Sequence, residues 1–143
     1  MATPLTTMEN PALSKPLPKP NADSVPFWEA CNREELTFQR CGDCGHAQFY
    51  PRALCVKCHS RRLTWEKSGG RGEVYSFTEL HRAAIPSFQA DVPYLVVLLE
   101  MAEGFRLLCN VHGPAGGIAI GTKGRIVFED RGAQKVPKFR PDA

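Results

Sequence analysis

Four cysteines form two CxxC pairs, and their spacing is the pattern in this sequence that most clearly indicates a chemical role, namely metal binding. Cys41 and Cys44 make the first pair, and ten residues separate them from Cys55 and Cys58. A CxxC turn places two sulfurs about one tetrahedral edge apart, so two such turns on neighbouring hairpins can enclose a zinc ion. All four coordination positions are then filled by protein, which leaves none for water or substrate. We therefore predict a structural zinc site formed by these four thiolates.

Other interpretations of the cysteines stay open at this point. A rubredoxin-like iron site uses similar turns and would make the protein an electron carrier, whereas disulfides would require an oxidising compartment. His46 and His59 flank the pairs, but four cysteines already complete a tetrahedron. Residues 1–22 lack an apolar signal-peptide core, and the apolar run Leu95–Leu99 is too short to span a bilayer. We expect a cytoplasmic protein with reduced thiols and no membrane partner.

Outside the two pairs, no set of residues has the composition of a catalytic site. Cys31 and Cys109 lie in apolar surroundings that favour core packing over a reactive thiolate. His81 and His112 fall at the ends of predicted strands, beside no obvious serine, cysteine or carboxylate pair. The sequence has no GxGxxG after a strand, no Walker loop and no HExxH motif. We expect no catalytic residues and interpret the chain as a binding or adaptor module.

The chain divides into four stretches that would position these residues. Residues 1–22 are rich in proline and poor in large apolar groups, which predicts a disordered tail. Residues 23–35 predict a short helix, with Asp23 or Ser24 as its cap and Pro26 in its first turn. Its small aromatic face is expected to dock on the ribbon or on another subunit. Residues 36–68 alternate as short strands around the cysteine pairs and predict a zinc ribbon.

Residues 69–143 predict a small β domain. The Ala102–Gly104 link between two strand-like runs predicts a tight hairpin with Gly104 at positive φ. A closed five-stranded OB barrel suits a stretch of 75 residues, because closure removes most exposed edges. The predicted fold class is therefore mainly β, with an N-terminal helix, a rubredoxin-like zinc ribbon and a five-stranded OB-fold barrel. The strand-like runs are GEVYSFTELHR, PYLVVLLEM, FRLLCNVHG and GRIVFED.

Several segments, which follow one another over residues 26–141, carry a family resemblance. They are CGDCGHAQFYPRALCVKC, LTWEKSGGRGEVYSFTELHR, PYLVVLLEMAEGFRLLCNV, GRIVFED and VPKFRP. The sequence resembles the zinc-ribbon plus OB-fold proteins associated with acyl-CoA metabolism. Two departures stand out: Val56 occupies a position where the family pattern predicts proline, and PAGGIAI replaces a more polar stretch after Gly113.

The resemblance implies a non-catalytic subunit that docks on a thiolase-like or acyltransferase catalytic subunit. Its OB domain would help to bind an acyl-CoA, either a β-keto acyl-CoA or a polyketide-like acyl group. Arg52 and Arg82 match family positions and are predicted to contact CoA phosphates or the partner, since guanidinium groups bind phosphate bidentately. Tyr50 and Phe105 are predicted to offer aromatic faces to the same ligand or interface.

A single-stranded nucleic-acid-binding module is the main alternative function. Zinc ribbons and OB folds both occur in such proteins, but binding single strands requires a basic groove with interleaved aromatic residues. The formal net charge is only +3, and acidic residues dilute the basic ones along the β domain. We therefore expect acyl-CoA and a protein partner rather than nucleic acid. The acidic residues are Glu73, Glu79, Asp91, Glu100 and Glu103.

Overall fold

The computed structural model describes residues 15–113 and 116–142. Residues 1–14 of the predicted disordered tail, and the first two residues of the segment PAGGIAI, lie outside the described residues. From residue 15 the chain runs without regular secondary structure to the turn before the helix. The Lys15 ammonium lies 2.7 Å from the Asp91 carboxylate and 5.3 Å from the centroid of the Phe88 ring. This stretch therefore contacts the β domain before the helix begins.

Helix α1 (Val25–Asn32) is short and docks on both parts of the molecule. Its entry turn is closed by two reciprocal hydrogen bonds, from Ser24 N to Asn21 Oδ1 at 2.9 Å and from Asn21 N to Ser24 Oγ at 3.0 Å. Phe27, Ala30 and Cys31 are buried. The Phe27 ring lies 4.8 Å from that of Phe49 in the ribbon. The helix thus uses its apolar face within the chain, as one of the two predicted docking options.

Three short antiparallel strands form the ribbon sheet. They are β1 (Thr37–Cys41), β2 (Ala47–Gln48) and β3 (Leu63–Lys67), in the order β2-β1-β3. The first CxxC pair lies in the β1–β2 hairpin, and the second lies in the long connection between β2 and β3. Because β1 is the central strand, it carries one metal-binding turn at its end and packs its other residues against the rest of the molecule.

The remaining strands close into a five-stranded barrel, in the order β4-β5-β6-β8-β7. All neighbours are antiparallel except β6 and β8, and β4 pairs with both β5 and β7 to close the barrel. Gly104 has φ of +97° in the β5–β6 hairpin, as predicted. A short 3₁₀ helix at Pro86–Asp91 links β4 and β5. The strands are β4 (Arg71–Leu80), β5 (Tyr94–Met101), β6 (Arg106–Val111), β7 (Lys123–Asp130) and β8 (Lys135–Pro141).

This architecture confirms the predicted fold class, with one difference in detail. Strand β8 was not among the four strand-like runs, because Pro137 and the charged residues around it obscure the alternation of a strand. In the structure, Val136 and Phe139 are nevertheless both buried. Within the described residues, no helix is long and apolar enough to cross a membrane.

Ribbon and barrel share one continuous apolar core. The rings of Phe38 in β1 and Phe105 after β5 stack at 4.6 Å with an interplanar angle of 15°. The Glu103 carboxylate accepts hydrogen bonds from Ser68 Oγ and Gly69 N, both at 2.8 Å, and so ties the β5–β6 hairpin to the chain that leaves the ribbon. The ribbon sheet that carries the metal-binding turns is therefore supported by packing and hydrogen bonds to the barrel.

Candidate metal centre and docking surface

The four cysteine sulfurs converge on one point. All four Sγ atoms lie within 4.8 Å of one another. The distance is 3.5 Å from Cys41 Sγ to Cys58 Sγ and 3.6 Å from Cys44 Sγ to Cys55 Sγ. Zn–S bonds of about 2.3 Å in a tetrahedron require sulfurs about 3.8 Å apart, so the donor set fits zinc. No histidine belongs to the cluster among the described residues.

The two CxxC turns have nearly the same backbone geometry. Gly45 N donates to Cys41 O at 3.0 Å, and His59 N donates to Cys55 O at 2.9 Å. Gly45 has φ of +75°, as predicted for the residue after the first pair. His59 takes the equivalent place in the second turn with φ of +64°, although it carries a side chain. The second turn therefore adopts a left-handed conformation without the glycine that usually permits it.

Backbone N–H groups point at the sulfurs and favour thiolates. The Cys44 N–H, followed by that of Asp43, lowers the pKa of Cys41 to about 6. The Cys58 N–H likewise lowers the pKa of Cys55. At Cys58 the N–H of Ser60 acts in the same direction, but the nearby sulfurs, led by that of Cys41, raise the pKa to about 12. Crowded thiolates oppose one another, so the full set needs a cation between them.

Two buried glutamines, Gln39 and Gln48, hold the loop between the two CxxC pairs. This role was not predicted from the sequence. Gln39 Oε1 accepts hydrogen bonds from Gln48 Nε2 at 2.8 Å and from Arg52 N at 2.9 Å. Gln48 Oε1 accepts a third from Val56 N at 3.0 Å. A proline at position 56 would have no N–H to donate, so the valine found there makes a hydrogen bond that the residue of the family pattern could not make. The only sequence signal was two glutamines in strands expected to be partly buried.

Two of the predicted ligand or interface residues lie together. The Arg52 guanidinium carbon is 5.8 Å from the centroid of the Tyr50 ring, and both side chains are exposed. Tyr50 also lines an apolar groove of about 470 Å³ where helix, ribbon and barrel meet. We call this the junction groove. It is lined by Phe27, Trp28, Phe49, Tyr50, Leu98, Arg106, Leu107, Leu108 and Pro137.

The other two predicted residues are placed differently. Arg82 is exposed in the bend that follows β4, on a different element from Tyr50 and Arg52. Phe105 is only 2% exposed and stacks on Phe38 in the shared core. It therefore presents no face to a ligand or partner, and its predicted contact role is corrected to core packing. Phe105 precedes β6 in phase with the buried Leu107 and Cys109, so strand alternation could have indicated that it faces inward, but not that the ribbon covers this end of the barrel.

The cysteines outside the metal centre are packed in the core. Cys31 is fully buried and Cys109 is 9% exposed. Burial raises the pKa of each thiol to about 12, which keeps both protonated at neutral pH. His112 is exposed beyond β6, and His81 is exposed with its Nε2 3.9 Å from the Glu79 carboxylate. These surroundings match the predicted structural or solvated roles.

A four-cysteine zinc ribbon that shares its core with an OB barrel defines the class of this protein. Comparison with known families matches residues 28–64 to the ChsH2 rubredoxin-like zinc ribbon domain and residues 65–129 to the ChsH2 C-terminal OB-fold domain. A chain of the Ltp2-ChsH2(DUF35) aldolase superposes with a TM-score of 0.78 at 32% identity, over 87% of this chain and 98% of that one. The chain therefore belongs to the ChsH2-type DUF35 family, which confirms the resemblance.

Two further relatives differ in length. A probable enoyl-CoA hydratase alpha subunit from Thermomonospora curvata is 34% identical over 109 residues, which are 76% of this chain and 34% of that protein. A DUF35 domain-containing scaffold protein from Methanothermobacter thermautotrophicus is 30% identical over 98 residues, which are 67% of this chain and 73% of that protein. The chain thus spans about a third of the length of the hydratase subunit.

Proposed function

We propose that this protein is a non-catalytic subunit that docks through its junction groove on the catalytic subunit of an acyl-CoA-processing complex. The finer form of the proposal is a thiolase-like or acyltransferase partner acting on a β-keto acyl-CoA or polyketide-like acyl group. Relatives support it, because they include a chain of a two-component aldolase, a hydratase alpha subunit and a scaffold protein. The zinc ribbon has a structural part in this function, since all four sulfurs are available to the metal.

The junction groove is the observation that carries the proposal. Leu108 is 64% exposed and Tyr50 is 40% exposed, and both border the groove beside the aromatic side chains of α1 and the ribbon. Exposed apolar patches rimmed by polar groups mark interaction sites, and aromatic and arginine residues are enriched at protein interfaces. Arg106 supplies a polar group at the rim, because it lines the groove, and its guanidinium stacks on the Tyr75 ring at 3.8 Å.

Arg52 lies beside Tyr50, which lines the junction groove, and is our first candidate to contact a ligand held between the subunits. Its backbone is fixed by Gln39, which donates to Arg52 O at 3.0 Å and accepts from Arg52 N at 2.9 Å. Its guanidinium is exposed. A rigid base with a free guanidinium suits an acyl-CoA phosphate or a partner carboxylate. We keep Arg82, which is exposed in the bend after β4, as a second candidate.

Affinity capture with matched variants tests the docking proposal. Tagged protein expressed in its native cell should recover an acyl-CoA enzyme, and mixing the two should restore turnover that the isolated chain lacks. Leu108→Asp places a charge in the groove and should lower recovery at least tenfold. Ile120→Asp is the matched control, because Ile120 is 73% exposed and does not line the groove. A tagged monomer with no acyl-CoA enzyme attached, or equal recovery with both variants, would contradict the proposal.

A titration with single-stranded DNA tests the alternative function. OB folds bind oligonucleotides mainly across the second and third barrel strands, which are β5 and β6 here. Tight binding that weakens steeply between two salt concentrations would favour the nucleic-acid module and count against the subunit proposal. We expect weak binding, because the outer side chains of these strands include Leu98 and Leu108 rather than a basic stripe.

A further inference from the structure

Three arginines lie side by side on the outer wall of the barrel, away from the zinc centre. Arg71 in β4 is the cross-strand partner of Arg125 in β7, and Arg125 is the partner of Arg140 in β8. All three side chains are exposed, whereas the neighbouring Gly124 and Phe139 face the barrel interior. Adjacent strands are about 4.8 Å apart, so the three arginines form a row about 10 Å long. We call it the arginine row.

The arginine row differs from the neighbouring row of charged side chains in its counter-ions. Like charges directly opposite each other on adjacent strands destabilise a sheet. The neighbouring row also has a like-charge pair, Glu73 opposite Glu100, but each of these carboxylates has a cation on its other side: Lys123 is opposite Glu73, and Arg106 is opposite Glu100. In the arginine row, among the described residues, a counter-ion is found only for Arg71: it is the Asp142 carboxylate, which accepts hydrogen bonds of 2.7 and 3.2 Å. Within residues 15–113 and 116–142, no carboxylate lies within 4.0 Å of the Arg125 or Arg140 guanidinium.

The row borders a shallow groove of about 200 Å³, lined by Arg71, Arg125, Arg140, Pro141 and Asp142. Ligand pockets for whole small molecules are typically about 300 to 1,000 Å³, so this groove suits one charged group rather than a complete ligand. Among the described residues that line the groove, three guanidinium groups face one carboxylate, which leaves two positive charges unbalanced there. A phosphate group carries about −1.5 to −2 charges at pH 7 and accepts the paired N–H donors of arginine.

We propose that Arg125 and Arg140, with Arg71 beside them, form a binding site for a phosphate group, and that Asp142 limits its affinity by neutralising Arg71. The wall formed by β4, β7 and β8 differs from the β5–β6 face that OB folds use for oligonucleotides. The groove lining also lacks aromatic side chains on which bases could stack. The ligand is therefore a free phosphate ion or a phosphate of a small molecule. This site does not rest on the proposed subunit role.

Calorimetric titration of the purified zinc-loaded chain tests the site, first with inorganic phosphate at constant ionic strength. Arg125→Gln and Arg140→Gln should each weaken binding about tenfold, the lower limit for losing a hydrogen bond to a charged group. The double variant should abolish binding. Arg140→Lys should restore only part of the affinity, because it keeps the charge and loses the planar fork. Arg33→Gln is the matched control, since Arg33 is exposed in the loop after α1. This variant should bind phosphate as tightly as the wild type.

Asp142→Asn gives the sharper test. It should strengthen phosphate binding several-fold by releasing Arg71, whereas an ion pair with a purely structural role would leave phosphate affinity unchanged. Without phosphate at low ionic strength, Arg125→Gln should raise the thermal midpoint because it relieves like-charge repulsion. Equal phosphate affinity in the wild type and the double variant would overturn the proposal, and so would a lowered midpoint in Arg125→Gln that keeps its zinc.

Repeating the titrations with coenzyme A identifies the source of the phosphate. If coenzyme A binds more tightly than inorganic phosphate and loses that advantage in the double variant, the phosphate belongs to such a ligand. If the two bind equally, the site takes the free ion, and both results support the shared chemistry. Single-stranded DNA that binds far more tightly than either, through the same arginines, would overturn the assignment to a small ligand.

Discussion

At the residue scale, the zinc centre depends on where two short turns place their backbone. The N–H groups of Asp43 and Lys57 lie 3.4 Å from the sulfurs of Cys41 and Cys55, respectively. Each turn thus directs donors at the sulfur that opens it, which favours the deprotonated ligand before the metal arrives. The two turns differ in the residue that follows them, Gly45 in one and His59 in the other.

Replacing one ligand should remove the metal. We expect Cys55→Ser to lose zinc and to lower the thermal midpoint, because a ribbon of this size relies on metal binding for much of its folding free energy. Metal analysis and thermal melting measure both effects. Cys109→Ala, which removes a buried cysteine outside the centre, should keep one zinc per chain. Full zinc content in Cys55→Ser would show that another group, such as His59, is the real ligand.

Placing a glycine at position 59, in the second turn, should stabilise the protein. His59 has φ of +64°, a conformation that is unfavourable for residues with a Cβ. We expect His59→Gly to raise the free energy of unfolding by about 0.5 to 1 kcal/mol, after allowing for the greater entropy of glycine in the unfolded chain. Denaturant melts of zinc-loaded protein measure this. His46→Gly, at a position without positive φ, should be destabilising. A less stable or zinc-poor His59→Gly protein would mean that the imidazole itself supports the site.

At the element scale, the loop between the CxxC pairs is held by hydrogen bonds from β1 and β2 rather than by its own structure. Gln48 Nε2 donates to Leu54 O at 3.2 Å, and Gln48 Oε1 accepts from Val56 N at 3.0 Å. A strand of only two residues therefore positions both the loop and the start of the second turn. Tyr50 and Arg52 lie in the same loop, so their orientation depends on these bonds.

The Val56 N–H can be removed selectively. We expect Val56→Pro to lower the free energy of unfolding by about 1 to 3 kcal/mol, because it leaves Gln48 Oε1 without its donor in a buried setting. Val56→Ala keeps the N–H and changes a side chain that is 58% exposed, so it should have little effect. Denaturant melts of the two variants give the comparison. Equal stability would show that the Gln48 bond contributes little and that proline suits this turn.

At the scale of the whole molecule, ribbon and barrel share one apolar core, so we expect them to unfold as one cooperative unit. Two ribbon rings contact Phe105: the Phe38 ring stacks on it, and the centroid of the Phe49 ring lies 6.4 Å from its centroid. Gln134 Nε2 also donates a hydrogen bond to Trp28 O at 3.0 Å, which joins α1 to the start of β8. The junction groove lies at this same meeting point, so its shape depends on both parts of the chain.

Loss of Phe105 should therefore weaken both parts together. We expect Phe105→Ala to lower the free energy of unfolding by about 3 to 5 kcal/mol and to preserve a single transition. Phe77→Ala is the matched control, because Phe77 is 39% exposed on β4 and should matter far less. Hydrogen exchange before and after zinc removal measures the coupling, since barrel amides should lose protection when the ribbon loses its metal. Unchanged barrel protection would mean that the two parts unfold independently.

Sequence patterns alone predicted the metal ligands and the strand-rich class, because CxxC spacing and strand alternation are properties of neighbouring residues. The turn at Gly104 followed from the same local geometry. The family followed from the resemblance carried by the order of the motifs over residues 26–141. Tertiary structure decided the burial of Phe105, the bonds of Gln39 and Gln48, and the arginine row. Those features join residues far apart in the chain, such as Arg71 and Arg125, whose alignment depends on strand register and barrel closure. No local pattern contains that register, so only the folded chain brings these side chains together.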